Sequence, residues 1–223
     1  MKLLDLLFPP RCLLCGALLG KEKDYCPDCR KKAEEAKGLV LKRSGDGAVL
    51  DAKYIDSAMA VFDYEDIKES IFRFKFHGAY GMGKGLGELM VSVARRSFPY
   101  LLHRPTIVLP VPIHKSRMRQ RGFNQAALLA KELADAEGKP MEEAVLRRVK
   151  ETRAQMELER KEERLSNVKD AFAVTDLAPG SIVLLVDDIY TTGATANQCA
   201  KVCKKAGAAE VHVFTLAAAR RKD

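Results

Sequence analysis

The stretch "IVLLVDDIYTTGATANQCAKVCKKAGA", Ile182 to Ala208, decides the fold. It opens as an apolar run, the pattern of a strand covered on both faces. Asp187 and Asp188 end that run side by side. The turn Thr191, Thr192, Gly193, Ala194 and Thr195 follows and leads into a helix with Cys199 and Cys203 on one face. A helix N-terminus offers unpaired backbone N–H groups and the positive end of a dipole, so the turn suits a phosphate. Gly193 allows close backbone approach. The two carboxylates suit hydroxyls beside that phosphate, or a magnesium ion nearby. Phosphate at one end and a diol behind it describe a 5-phosphorylated ribose. The alternative is an acidic pair capping a helix beside a surface turn. The apolar run, the two acids, two spacers and TTGAT in this order weigh against it.

Outward from this stretch, strands and helices alternate. "IDSAMAVFDY", "TIVLPVPI", "EAVLRRV", "AFAV" and "EVHVFTLAAA" read as strands. "EDIKESIFRFKFHG", "GKGLGELMVSVARRSF" and "GFNQAALLAKELADAEG" read as helices, the last burying Leu128, Leu129 and Leu133. Alternation predicts an α/β fold, a mostly parallel sheet with flanking helices. Ligands of such sheets lie beyond the carboxyl ends of the strands. Phe72, Phe74 and Phe76 are read as core, with Lys75 and His77 as secondary site candidates. His212, between Val211 and Val213, is expected to face outward, and Cys199 and Cys203 are expected to pack.

The segment after "TIVLPVPI" carries Lys115, Arg117, Arg119 and Arg121, four cations in seven residues. Lys115, Arg117 and Arg121 are candidates for an anion such as pyrophosphate, since Arg offers paired donors to its oxygens. If the segment is helical, Arg117 and Arg121 share a face. A nucleic-acid backbone would use the same residues. Asn124 and Gln125 either orient a ligand or cap the next helix.

Near the N-terminus Cys12, Cys15, Cys26 and Cys29 form two C-x2-C pairs. Each pair turns two thiolates toward one point, and two pairs complete a tetrahedral site for structural zinc with no open position. Two further cysteines lie far away on the late helix. The chain has 223 residues, 47% of them hydrophobic, which excludes a disordered chain and predicts a packed core. No apolar run approaches the roughly 18 residues of a membrane span. "MKLLDLLFPP" reads as a short amphipathic helix rather than a secretory signal. Grouped cysteines without a leader point to a reducing, cytoplasmic setting. A net charge of +8 suits an anionic partner. The expected layout is a short helix and zinc module over 1–38, a Gly-rich, charged linker over 39–53, and the α/β domain over 54–223.

"VLLVDDIYTTGAT" resembles the phosphoribosyl pyrophosphate (PRPP) motif of type I phosphoribosyltransferases. "PVPIHKSRMRQRGFNQAALLAKELA", "TRAQMELERKEERLSNVKDAF", "FKFHG" and the four-cysteine module, taken in order, resemble the ComF (competence protein F) family. The resemblance implies a type I phosphoribosyltransferase-like fold. It implies ribose hydroxyls on Asp187 and Asp188, the 5-phosphate on residues 191–195, magnesium with PRPP, and pyrophosphate on the Lys115–Arg121 segment. The polar stretch from Lys150 to Asp170 resembles a hood loop closing over the site, with Thr152, Arg153, Gln155 and Arg160 as its candidates; a solvated charged helix suits that composition equally. The family further implies a part in natural competence, with single-stranded DNA and a helicase as partners. Three roles stay open: PRPP binding within DNA uptake, an active phosphoribosyltransferase with an unidentified acceptor, or a non-catalytic PRPP-sensing module that binds DNA or the helicase.

Overall fold

The computed structural model describes residues 9–20, 24–42, 52–76, 80–150 and 170–219. A five-stranded sheet forms its frame, in the order β1-β2-β7-β6-β3. These strands are β1 (Leu39–Lys42), β2 (Ser57–Asp63), β3 (Ile107–Pro110), β6 (Ile182–Tyr190) and β7 (Glu210–Ala218). All neighbours pair in parallel except β1, which runs antiparallel along β2. Residues 39–42, assigned to the linker in the sequence, are thus an edge strand of the sheet. Leu146–Arg148 (β4) and Phe172–Val174 (β5) make a separate antiparallel hairpin. The helices are α1 (Pro27–Glu35), α2 (Tyr64–Phe76), α3 (Met82–Ser97), α4 (Tyr100–His103), α5 (Lys115–Arg121), α6 (Gln125–Ala136) and α7 (Ala194–Lys205).

Strand β6 explains its own apolar run. Successive residues point to opposite faces. Leu184 and Val186 join the core beneath α2, α3 and α6, and Val183 and Leu185 join the core beneath α7. Both faces are covered, so neither accepts a polar side chain at these positions. His212 follows from the same fact. It is only 5% exposed, because the face it shares with Phe214 and Leu216 is also covered. The expected outward orientation does not place it in water. Ser57 Oγ meets its Nδ1 at 2.7 Å and Glu210 its Nε2 at 3.0 Å.

The strand runs further than its apolar residues. Asp187, Ile189 and Tyr190 stay paired with Thr215, Ala217 and Ala218 of β7, so the acids lie within β6 rather than past its end. On the other side β3 stops at Pro110, opposite Val186. Beyond that point β6 has one strand neighbour, and the space left beside Asp187 and Asp188 becomes a cleft.

The three phenylalanines divide as helical geometry requires. Residues 72 and 76 are one turn apart, and 74 lies across the helix from them. Phe74 is fully buried, whereas Phe72 and Phe76 are 50% and 51% exposed. Cys199 and Cys203 are buried between α7 and the sheet, as expected.

The four-cysteine segment shares the main core. Cys12, Leu13, Leu14, Leu19, Cys29 and Ala33 belong to the same buried cluster as Ile71, Phe74 and Leu86. Gly85 of α3 permits this approach, since any Cβ there would run into the Leu13 side chain. No described helix is long and apolar enough to cross a membrane. Residues 1–8, 21–23, 43–51, 77–79, 151–169 and 220–223 lie outside the described set, and with them the expected N-terminal helix, His77 and the hood-loop candidates Thr152, Arg153, Gln155 and Arg160.

Candidate functional site

A cleft of about 390 Å³ opens beside the end of β6. Asp187 and Asp188 lie at its base, with Thr191 and Thr195 of the turn on one side. Arg117 and Arg121 of α5 and Arg148 of β4 supply cations, while Lys75, Phe72 and Phe76 come from α2.

The carboxylate pair is asymmetric. Lys75 Nζ stands 2.9 Å from Asp188 Oδ2, with both side chains nearly buried. Burial disfavours ionising Asp188, but that ammonium outweighs it and holds the carboxyl below its ordinary value. Asp187 goes the other way. Burial first, then the adjacent Asp188 charge, push its carboxyl well above the usual carboxylate range. Its Oδ1 accepts the Asp188 backbone N–H at 2.8 Å. The two carboxyls are thus driven in opposite directions, the more acidic one facing Lys75, and their oxygens are positioned for hydroxyl donors.

The turn is shaped for close approach. Gly193 caps α7 with a φ of 78°, and a Cβ there would collide with the Tyr190 hydroxyl. Thr192 Oγ1 accepts the Ala194 backbone N–H at 3.4 Å, which stiffens the turn from within. Gly193 and Ala194 are buried, so Thr191 and Thr195 present the turn's side chains to the cleft.

The basic segment is a short helix, and Arg117 and Arg121 share its cleft-facing side. Burial opposes the Arg121 charge, and the carboxylates of Asp188 and Asp187 support it. Its guanidinium lies 5.4 Å from the Phe76 ring centroid and donates to Gln125 Oε1 at 3.1 Å. Lys115 faces a neighbouring cleft of about 560 Å³ with His114 and Arg147, and Arg119 lines neither. Asn124 and Gln125 both line the cleft and both hold its frame. Asn124 caps α6 by accepting from the Ala126 N–H, and Gln125 Nε2 donates to the Phe74 carbonyl.

Arg148 and the half-exposed Phe72 and Phe76 escaped the sequence reading, and Lys75 ranked only as secondary. Arg148 sits on a three-residue strand whose hairpin partner is more than twenty residues away, so nothing local marks it. The Phe72–Phe76 spacing was the available signal: residues 72 and 76 share a helical face with the polar Glu69 and Arg73 near it.

The second site is the cysteine cluster. Ligand atoms of Cys12, Cys15, Cys26 and Cys29 all lie within 4.8 Å of one another, and the Cys15 and Cys26 sulfurs are 3.7 Å apart. Zinc–sulfur bonds of about 2.3 Å at tetrahedral angles require sulfurs about 3.8 Å apart, so the donors fit. Gly16 N–H donates to the Cys12 carbonyl, closing the first knuckle, and Cys26 is the N-cap of α1 with Pro27 in its first turn. Burial works against the Cys12 thiolate, but N–H donors from Cys15, Cys26 and Leu14 bring it down to about 7. Among the described residues this is the one such cluster.

Residues 3–47 match the double zinc ribbon domain, and residues 120–223 match the phosphoribosyl transferase domain. Fold and site together define a phosphoribosyltransferase-type α/β domain joined to a zinc ribbon. Competence protein F of Haemophilus influenzae is 32% identical over 94% of this chain and 85% of its own length. Competence protein ComFC of Bacillus subtilis is 29% identical over 92% and 93% of the two chains. DNA utilization protein YhgH of Salmonella typhimurium is 29% identical over 92% and 88%. This chain belongs to the competence protein F (ComF) family.

Proposed function

We propose that this chain binds PRPP with magnesium in the cleft and acts in natural competence, handling transforming single-stranded DNA in the cytoplasm. One observation carries the reading: a carboxylate pair, a helix-capping threonine turn and two arginines border a single cleft. The ribose hydroxyls fall to Asp187 and Asp188, the 5-phosphate to Thr191 and Thr195 and the turn's N–H groups, and the pyrophosphate to Arg117 and Arg121. Magnesium offsets the remaining phosphate charge and, if the bond to C1 breaks, the charge on the departing pyrophosphate. The competence names of the relatives support the biological setting. DNA contact is supported by the rim, where Arg121 lies against Phe76 with Phe72 at 5.2 Å from it, a mix of cation and ring suited to unpaired bases. The ribbon and basic surface then serve DNA or a partner helicase.

Calorimetric titration of the full chain with magnesium PRPP is the test. Saturable binding is expected, and the double substitution Asp187→Asn, Asp188→Asn is expected to abolish it. A wild-type chain that takes up no PRPP overturns the reading. Pyrophosphate release in the presence of candidate acceptors separates turnover from sensing. Single-strand binding should fall with salt and weaken on replacing Arg117 and Arg121 by Ala.

A further inference from the structure

Helix α2 is tethered on two sides. Toward the ribbon, the Arg73 guanidinium donates to the carbonyls of Cys12 at 2.9 Å and Leu13 at 2.8 Å. Ser70, fully buried, donates to the same Leu13 carbonyl at 2.7 Å. Lys32 of α1 reaches the Asp66 carbonyl at 2.9 Å and its carboxylate at 3.3 Å. Toward the cleft, Lys75 stands on Asp188. The Phe74 carbonyl accepts from Gln125, whose own oxygen accepts from Arg121. Two charged groups of the cleft therefore take their positions from α2, and α2 takes its position from the backbone of a zinc ligand.

We propose that Lys75 is a ligand-site residue of the cleft and Arg73 its positioning residue, through which the zinc ribbon sets how tightly the cleft holds an anionic sugar phosphate. Lys75 has the right chemistry. Its ammonium is a point charge on a flexible stem. When a ligand hydroxyl takes its place on Asp188, it swings to a phosphate oxygen without leaving the cleft. Arg73 touches no cleft atom. It acts by holding one end of a rigid helix whose next turn carries Lys75. The Ile67 kink lies after the Asp66 contact and before those of Ser70, Arg73 and Lys75, so these three share one unbroken helical stretch. The identity of the ligand rests on the function proposed above, but the coupling does not, and it can be probed from either end: if the Lys75–Asp188 contact helps to hold α2 in place, losing it loosens the helix's grip on the ribbon as well.

The experiment uses the full chain and two readouts, zinc release to a chromogenic chelator and calorimetric affinity for magnesium PRPP. Arg73→Gln is expected to keep its zinc after purification yet bind PRPP about tenfold more weakly, with Arg73→Lys recovering part of the loss. Lys75→Met, a change on the cleft side of α2, is expected to speed zinc release severalfold beyond Leu177→Ala, a core variant on the other face of the sheet used as a control for lowered stability. Should Arg73→Gln not fold, Arg73→Lys and Lys75→Met decide alone. Unchanged PRPP affinity in a zinc-loaded Arg73 variant, or zinc release from Lys75→Met no faster than the control, overturns the proposal. If the wild type binds no PRPP, the function proposed above fails, and the zinc-release comparison still decides the coupling.

Discussion

The cysteine ribbon and the β6–α7 turn are both held rigidly, but by different means. The ribbon has short turns and a few apolar side chains, and its geometry comes from four sulfurs converging on one point. The turn has no such staple. It inherits its position from a strand buried on both faces and from one glycine lying under a tyrosine hydroxyl. One region gathers its rigidity at a point, the other draws it from the whole sheet. A single substitution should therefore be far more damaging in the first than in the second.

The largest effect is expected at the cysteines. Cys29→Ser should reduce zinc from about one per chain to none by metal analysis, with a steep loss of thermal stability, because binding and folding of such a module are one process. Intact zinc content in that variant would break the contrast. Gly193→Ala should come next. It forces a left-handed position on an alanine and drives its Cβ into Tyr190, costing about 1–3 kcal/mol of stability by denaturant titration. PRPP affinity should fall with it, while zinc content stays unchanged. Tyr190→Phe tests the same contact in the opposite sense. Among the described residues the buried hydroxyl has no hydrogen-bond partner, so its removal should be neutral or stabilise by up to about 1 kcal/mol.

The smallest effect is expected at the end of the sheet away from the cleft. Burial lowers the His212 pKa below its ordinary 6.5, outweighing the Glu210 carboxylate that would raise it. A depressed folded value means that the unfolded chain binds the extra proton first. The contribution is complete above pH 6.5 and is lost as pH falls below it. Melting temperature between pH 8 and 5 should show this decline, shallower in His212→Gln.

Much of this could be read in the sequence, and the exceptions have a common cause. Apolar runs and the TTGAT turn are local signals, so β6, α7 and the acidic pair were legible. The paired C-x2-C motifs were legible for the same reason. The extension of β6 to Tyr190 depends on β7 continuing beside it, which no window around Asp187 contains. Lys75 and Arg148 belong to the cleft only because α2 and a distant hairpin end there. His212 and Phe76 were misread in opposite directions, one buried and one exposed. Alternation and composition report a residue's own face, not whether another layer covers it.

The shared core under the ribbon has a consequence for modularity. In sequence the four cysteines look like a cassette that any protein might carry or discard. In the fold, Leu13 fills a place against Gly85 and its carbonyl serves Ser70 and Arg73. A chain begun at Tyr54 would uncover an apolar wall of α2 and α3 and strip Arg73 of its two carbonyl acceptors. Such a chain should aggregate or be proteolysed rather than survive as a smaller domain. Ribbon and domain are two lengths of one folding unit, and a change to the wall between them is a change to both.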